Sequence, residues 1–190
     1  MLNIKCPNDI IEGSKITKEK RHELYGKVAG GSGSTKPELY QRSKIIEGTG
    51  VSCNKCDIRI NKRTNSLDKS AHPMKKENGY DYTENFDGYQ EINNKNIYLN
   101  LKSVVGAGGS QTRTLRDECY PFVEAQLNFL KLYPESNTYF ANIFDGDQAA
   151  KNMNKFQYLC SLDEYYSIKS RVYVGDLKGY FDWLKIIVES

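Results

Sequence analysis

Long apolar runs are missing from this 190-residue chain. None approaches the length of about 18 residues that spans a bilayer, and residues 1–6 lack the apolar core of a signal peptide. Both absences argue against a membrane-spanning or exported protein. We therefore expect a soluble, cytoplasmic protein.

Several common functional motifs are missing too. The glycine-rich stretch 30–37 has no Gly-Lys-Ser/Thr at the offset of a P-loop and follows no apolar strand, so its composition predicts a surface loop or a DNA-contacting loop. Neither His22 nor His72 follows a strand with a downstream Asn-containing helix, which argues against a ββα-metal nuclease. The tyrosines do not form a GIY-YIG pair.

Cysteine is present in an odd number, five, which favours reduced thiols over disulfides. Cys53 and Cys56 have the spacing of half a zinc site, and the chain has no second Cys-x-x-Cys. His72 is the nearest further ligand and Cys6 is another. A structural zinc ion held by Cys53, Cys56 and His72 is therefore a candidate.

Charge is distributed unevenly along the chain. The net charge is only +3, but basic residues outnumber acidic ones over residues 15–76, whereas residues 81–91 are acidic. A basic surface around an acidic pocket is the arrangement expected of a metal-using nuclease. We predict a basic, loop-rich N-terminal region over residues 1–79, which includes the Cys-x-x-Cys insert, and a core over residues 80–190.

Secondary-structure signals are clearest in this second part. Apolar and polar residues alternate before and after the turn 93–96, which predicts a hairpin, and later segments show helical and strand spacing in turn. The predicted elements are strands 86–92 and 97–105, helix 115–132, strand 138–144, helix 151–162 and strand 171–174. This order predicts an α/β domain with a mixed central β-sheet flanked by helices. The aromatic-rich tail is expected to be core or dimer interface.

Three polar residues of the predicted hairpin can meet. Asn100 and Lys102 lie on one face of the second strand because side chains alternate, and pairing with the first strand brings Asp87 beside them. An Asp supplies a hard oxygen ligand for Mg²⁺, a Lys can orient water or stabilise charge, and an Asn carbonyl can support the metal site. These residue types suit phosphodiester hydrolysis.

This pattern resembles the PD-(D/E)XK nuclease superfamily, in particular type II restriction endonucleases. Asp87 matches the family's Asp at a turn, and Lys102 matches the Lys of its acid-x-Lys strand. Residue 86 is Phe where the family has Pro, and residue 100 is Asn where an acid is usual. The resemblance implies a restriction-endonuclease-like core and a Mg²⁺ cofactor.

Because one acid of the pattern is absent, another carboxylate is expected to complete the metal site. Glu124 on the following helix and Glu84 just upstream of Asp87 are the candidates. Glu91 is a weaker one, because its alternation with Asp87 is only approximate. The catalytic set predicted from sequence is Asp87, Asn100, Lys102 and Glu124.

The stretch 108–116 directly follows the predicted catalytic strand and leads into a helix. Small residues let the backbone approach a ligand, and Ser, Gln, Thr and Arg side chains can bind phosphates or base edges. The sequence therefore predicts a DNA-contacting loop. Its binding residues would be Ser110, Gln111, Thr112, Arg113 and Arg116.

Together these features predict a Mg²⁺-dependent type II restriction endonuclease that cuts double-stranded DNA at a specific sequence. A homodimer is expected because palindromic sites match twofold symmetry. One alternative is a non-catalytic DNA-binding module with a zinc-stabilised insert. Another is a small-molecule hydrolase that uses Asp87 and Asp145, although Asp145-Gly146-Asp147 also suits a plain turn.

Overall fold

A computed structural model of the chain describes residues 2–26, 35–69 and 81–190. The helices within these residues are α1 (Lys18–Tyr25), α2 (Thr35–Thr49), α3 (Gly109–Arg113), α4 (Tyr120–Leu132), α5 (Asp147–Lys151), α6 (Met153–Cys160) and α7 (Leu177–Glu189). The strands are β1 (Ile58–Asn61), β2 (Ser66–Lys69), β3 (Gly88–Ile92), β4 (Lys95–Ser103), β5 (Thr138–Asp145) and β6 (Val172–Gly175). None of the described helices is both long and apolar enough to cross a membrane.

The central sheet has the order β3-β4-β5-β6. β3 runs antiparallel to β4, while β4, β5 and β6 are parallel to one another. Helices flank the sheet, so the predicted α/β class with a mixed sheet is confirmed. β1 and β2 form a separate antiparallel hairpin.

The β3-β4 hairpin confirms the predicted one. Its two-residue turn is Asn93-Asn94, with positive φ values of 49° and 61°. Asn tolerates this left-handed conformation, and a two-residue turn of this kind matches the twist of the strands. The turn sets the register, in which Ile92 lies opposite Lys95 and Gly88 opposite Leu99.

Side chains of β4 alternate between two hydrophobic layers. Leu99 and Leu101 are fully buried in a cluster with Ile45 of α2 and with Tyr180 and Phe181 of α7. The opposite face of the sheet packs on α4 through a second cluster, which includes Phe86, Phe122, Phe140 and Phe144. Asn100 and Lys102 point toward this second layer and line a cavity beside Phe122.

The N-terminal part of the chain belongs to the same core. Ile4, Ile10 and Ile45 share a cluster with Leu99, so residues on both sides of position 80 pack together. The sequence predicts that the Cys-x-x-Cys insert lies outside the core, which is wrong for Cys53: this side chain is buried in that cluster. A Cβ at Gly88 would come within 2.9 Å of its sulfur, so the segment packs closely against β3.

The predicted DNA-contacting loop is largely helical. α3 begins at Gly109, continues into a π-helical turn (Thr114–Cys119) and then into α4. The wide turn directly precedes Pro121, whose ring would clash with the carbonyl four residues earlier in a regular helix. π-Helical turns are frequent at functional sites, and this one contributes residues to two separate cavities, one beside Asn100 and one beside α6.

Asp145 ends β5 and links three elements. Its carboxylate accepts hydrogen bonds from Gln41 Nε2 of α2 at 2.7 Å and from the Leu177 backbone N–H of α7 at 3.0 Å. The same Gln41 nitrogen donates to the Lys102 carbonyl of β4 at 3.2 Å. Burial raises the pKa of Asp145 to about 6, although both of these donors favour its carboxylate.

This buried acid predicts a characteristic pH dependence of stability. Its folded-state pKa lies above the value of about 4 expected in the unfolded chain, so its contribution to stability is full below pH ~4 and is lost as the pH rises through about 6. The difference between these pKa values corresponds to about 3 kcal/mol in the free energy of unfolding. Between pH 4 and pH 7, the free energy of unfolding measured in urea should fall by about 3 kcal/mol more for wild type than for Asp145→Asn. A gap between the two proteins that does not change with pH would contradict the assignment.

Candidate active site

Asp87 lies at the start of the β3-β4 hairpin and is tied to the edge of β4 that faces β3. Its backbone N–H donates to the Leu99 carbonyl at 2.8 Å, and its carboxylate accepts the Leu101 N–H at 2.8 Å. The side chain thus replaces a backbone carbonyl at the end of the ladder. This contact fixes the carboxylate next to residues 100 and 102.

Lys102 faces this carboxylate, with 3.9 Å between Nζ and Asp87 Oδ2. Both side chains are largely buried. Burial raises the pKa of Asp87 above its ordinary value, and Lys102 and the Leu101 N–H only partly offset this. Burial favours the neutral amine of Lys102, but nearby acidic groups, Asp87 first among them, outweigh it and raise the pKa of Lys102. Lys102 is therefore a protonated ammonium at neutral pH.

Glu38 of α2 is a third charged residue at this place, and sequence reasoning missed it. Its pKa is raised, first by burial and then by the negative charge of Asp87, while Lys102 and Arg42 lower it. Arg42 lies one turn further along α2, is buried, and also acts on Asp87. No spacing in the sequence links residue 38 to residue 87, because only the packing of α2 brings them together.

Asn100 lies beside Lys102 in the wall of a cavity of about 270 Å³. Its side chain is 1% exposed. The amide nitrogen donates to Asn142 at 3.2 Å, but the amide oxygen has no hydrogen-bond partner among the described residues. Other residues that line the cavity are Lys62, Tyr82, Thr83, Glu84, Asp117, Glu118, Cys119, Pro121 and Phe122.

The candidate carboxylates differ in their position relative to this cavity. Glu84 lines the cavity and raises the pKa of Asp87, and Glu118, which no sequence pattern singles out, lines it as well. Glu124 is separated from the cavity: it lies exposed on α4, where its charge acts on Tyr120 and Tyr165. The reason is helical period, because Phe122 faces the cavity and residue 124 lies about 200° further around the helix. Glu91 is exposed near the turn end of β3.

The predicted DNA-binding residues lie on α3 and the π-helical turn. Ser110, Arg113 and Arg116 are exposed, whereas Gln111 and Thr112 are half-buried. Arg116 pairs with its neighbour Asp117 at 2.6 Å. Thr112 and Arg116 line a second cavity of about 600 Å³ between this segment and α6, together with Leu115, Tyr120, Asn152, Asn154, Lys155, Phe156 and Tyr158.

Two of the three predicted zinc ligands, Cys53 and Cys56, lie among the described residues. Burial raises the pKa of Cys53 to about 12 and also raises that of Cys56, so both are thiols at neutral pH in the absence of a metal. The Cys56 thiol donates to the Phe86 carbonyl at 3.6 Å. His72 lies outside the described residues, and zinc binding stays a prediction.

The oxygen donors of the site suit a hard divalent cation. Within residues 2–26, 35–69 and 81–190, no group of three or more His, Cys, Asp or Glu side chains is arranged as a metal site. The oxygen donors near Lys102 are the Asp87 carboxylate at 3.9 Å from Nζ, the Glu38 carboxylate, whose charge acts on Lys102, and the unpartnered amide oxygen of Asn100. The cavity that Asn100 lines adds the carboxylates of Glu84, Asp117 and Glu118, whereas Asp87 and Glu38 are not among its lining residues. Mg²⁺ typically takes one or two carboxylates and keeps several waters, so this set fits it.

Known proteins give no guide to this site. Comparisons with protein families, with curated proteins and with solved structures find no significant match to this chain. What the side chains can do follows from their chemistry, which is a cluster of oxygen donors beside a protonated lysine.

The coupling between Glu38 and Asp87 predicts a measurable titration effect. The Asp87→Asn variant removes the negative charge that helps to raise the pKa of Glu38, so this pKa should fall toward its ordinary value. Carboxyl ¹³C NMR at varied pH would follow Glu38 directly. Glu124→Gln, which changes an exposed acid on α4, should leave the Glu38 titration unchanged. An unchanged Glu38 titration in Asp87→Asn would mean that the two side chains do not share a site.

Proposed function

We propose that this chain is a Mg²⁺-dependent endonuclease of the restriction type, which hydrolyses phosphodiester bonds in double-stranded DNA. The observation that carries the proposal is the largely buried Asp87-Lys102 pair, on which the charge of Glu38 acts. A largely buried acid and lysine are costly to fold unless they are used or fully paired, and such groups cluster at functional sites. The resemblance to PD-(D/E)XK nucleases names the same Asp and Lys.

Each side chain has a role that follows from its chemistry. Asp87 and Glu38 would hold the cation through their carboxylate oxygens, with the Asn100 oxygen in support. When bound, Mg²⁺ supplies charge neutralisation for the scissile phosphate and lowers the pKa of water. Lys102 stays protonated, so it donates hydrogen bonds to the phosphate and stabilises the negative charge that builds up during attack. It acts as a cation rather than as a general base.

A nucleic acid substrate fits the surface around these residues. Lys62 and Lys102 line the first cavity, together with the acidic residues Glu84, Asp117 and Glu118 that would accompany a metal ion. The second cavity, across the π-helical turn, has Arg116 and Lys155 in its lining and no acidic side chain among its described lining residues. Phosphate contacts by Lys and Arg supply most sequence-independent affinity for DNA. A cytoplasmic homodimer acting on palindromic sites completes the proposal.

Cleavage is the direct test. Purified protein incubated with methylation-free plasmid DNA and Mg²⁺ should give discrete fragments on a gel, and EDTA should prevent them. Asp87→Asn and Lys102→Met should each lower the cleavage rate at least about a hundredfold, because each removes a charge used in the transition state. Lys131→Met, which changes an exposed lysine on α4, is the matched control and should cut normally.

DNA binding separates catalysis from folding in the same variants. Asp87→Asn should still bind DNA in an electrophoretic mobility shift. If binding and cleavage are lost together, Asp87 maintains the fold rather than the chemistry. Intact plasmid across several substrates, together with DNA binding that survives EDTA, would favour the non-catalytic DNA-binding module.

The second cavity predicts how binding depends on salt. Lys155→Met should weaken DNA binding and lower the slope of log Kd against log salt concentration by about one, because one phosphate contact is lost. Lys169→Met is the control, because Lys169 lies over the exposed Tyr166 ring at 4.4 Å, outside the lining of this cavity. Fluorescence anisotropy with a labelled duplex measures both slopes. Equal slopes in the two variants would remove this cavity from the DNA interface.

A further inference from the structure

A chain of three buried amides on α4, β5 and β4 ends beside the candidate active site. Asn142 of β5 lies directly opposite Asn100 of β4, and Gln126 of α4 bonds Asn142. Gln126 and Asn142 exchange two hydrogen bonds, at 2.6 and 3.0 Å. The exposed fractions of Gln126 and Asn142 are 0%, so these groups satisfy one another inside the core.

A backbone carbonyl at one end of this chain fixes the orientation of all three amides. Asn142 Nδ2 donates to the Tyr173 carbonyl of β6 at 3.1 Å, and a carbonyl can only accept. The Asn142 oxygen must therefore point the other way, where it accepts from Gln126 and from Asn100. Asn100 in turn must direct its nitrogen toward Asn142, which leaves its oxygen on the opposite side of the amide, where it has no partner among the described residues.

We infer that Gln126 and Asn142 are positioning residues, which present the Asn100 carbonyl oxygen as a ligand for the divalent cation of the active site. This inference rests on the proposed function and adds two residues to it, Asn142 on β5 and Gln126 on α4. An amide can offer either an acceptor or a donor, and only the acceptor suits a cation. An ionised acid at residue 100 would offer only acceptors, whereas an amide can turn either its oxygen or its NH₂ group toward a ligand. The hydrogen bonds of the amide chain select the oxygen.

The unpartnered oxygen supports a role beyond packing. A network that served only the core would satisfy every buried polar atom, since an unpaired one is costly. Here the chain is complete except at Asn100 Oδ1, which is buried without a partner among the described residues, on a residue that also lines the cavity. The cavity is therefore the side from which a cation or a substrate group would reach this oxygen.

The test measures Mn²⁺ binding by the free protein, with electron paramagnetic resonance reporting unbound Mn²⁺. Asn142→Leu removes the acceptor that holds the Asn100 nitrogen, so the amide can turn its NH₂ group toward the cavity. Residues that orient metal ligands typically change affinity by about 10- to 100-fold, and we expect a loss of this size. The double variant Asn142→Leu/Gln126→Leu replaces both partners by apolar groups of similar size, which protects folding.

Asn128→Leu is the matched control. Asn128 is also a partly buried amide on α4, but it bonds the Tyr165 hydroxyl at 2.9 Å rather than the amide chain. It should cost stability and leave Mn²⁺ affinity unchanged. If wild type binds Mn²⁺ and the folded double variant binds it equally well, the positioning role is overturned while the proposed nuclease stands. If wild type binds no Mn²⁺, the cation site itself fails, and both proposals fail with it.

Discussion

The hydrogen bond from the Leu101 N–H to the Asp87 carboxylate is the contact on which the candidate site depends. It joins the start of the β3-β4 hairpin to the strand that carries Asn100 and Lys102. Without it, a largely buried carboxylate would face only a lysine at 3.9 Å, too far for a strong ion pair. Because a backbone N–H holds the acid, its position is set by the sheet rather than by a flexible side chain.

Helix α2 contributes further side chains to this arrangement. Glu38, Gln41, Arg42 and Ile45 follow the spacing that places residues on one helical face. Along that face, Glu38 and Arg42 act electrostatically on Asp87, Gln41 bonds the Lys102 carbonyl and Asp145, and Ile45 is buried in the core. One helix therefore contributes charge to the site and stability to the strand that forms it.

Buried polar groups concentrate along the parallel part of the sheet. The amides of Asn100, Asn142 and Gln126 occupy one face of β4 and β5, and Asp145 ends β5 where α2 and α7 meet. Such groups cost free energy when they leave water, so each needs partners at fixed positions. This requirement gives the interior a specific geometry that an apolar core of the same volume would not need.

The sequence by itself determined the hairpin, the alternation of strands and helices from residue 86 to residue 175, and the meeting of Asp87 with Lys102. These features depend on local alternation, turn chemistry and short separations along the chain, which a sequence displays directly. Tertiary structure alone decided that Glu38 acts electrostatically on Asp87, that Glu124 does not line the cavity, that Cys53 is buried and that residues 109–119 are helical. Those outcomes depend on which faces of distant helices meet the sheet, and packing between elements settles that after the local structure has formed.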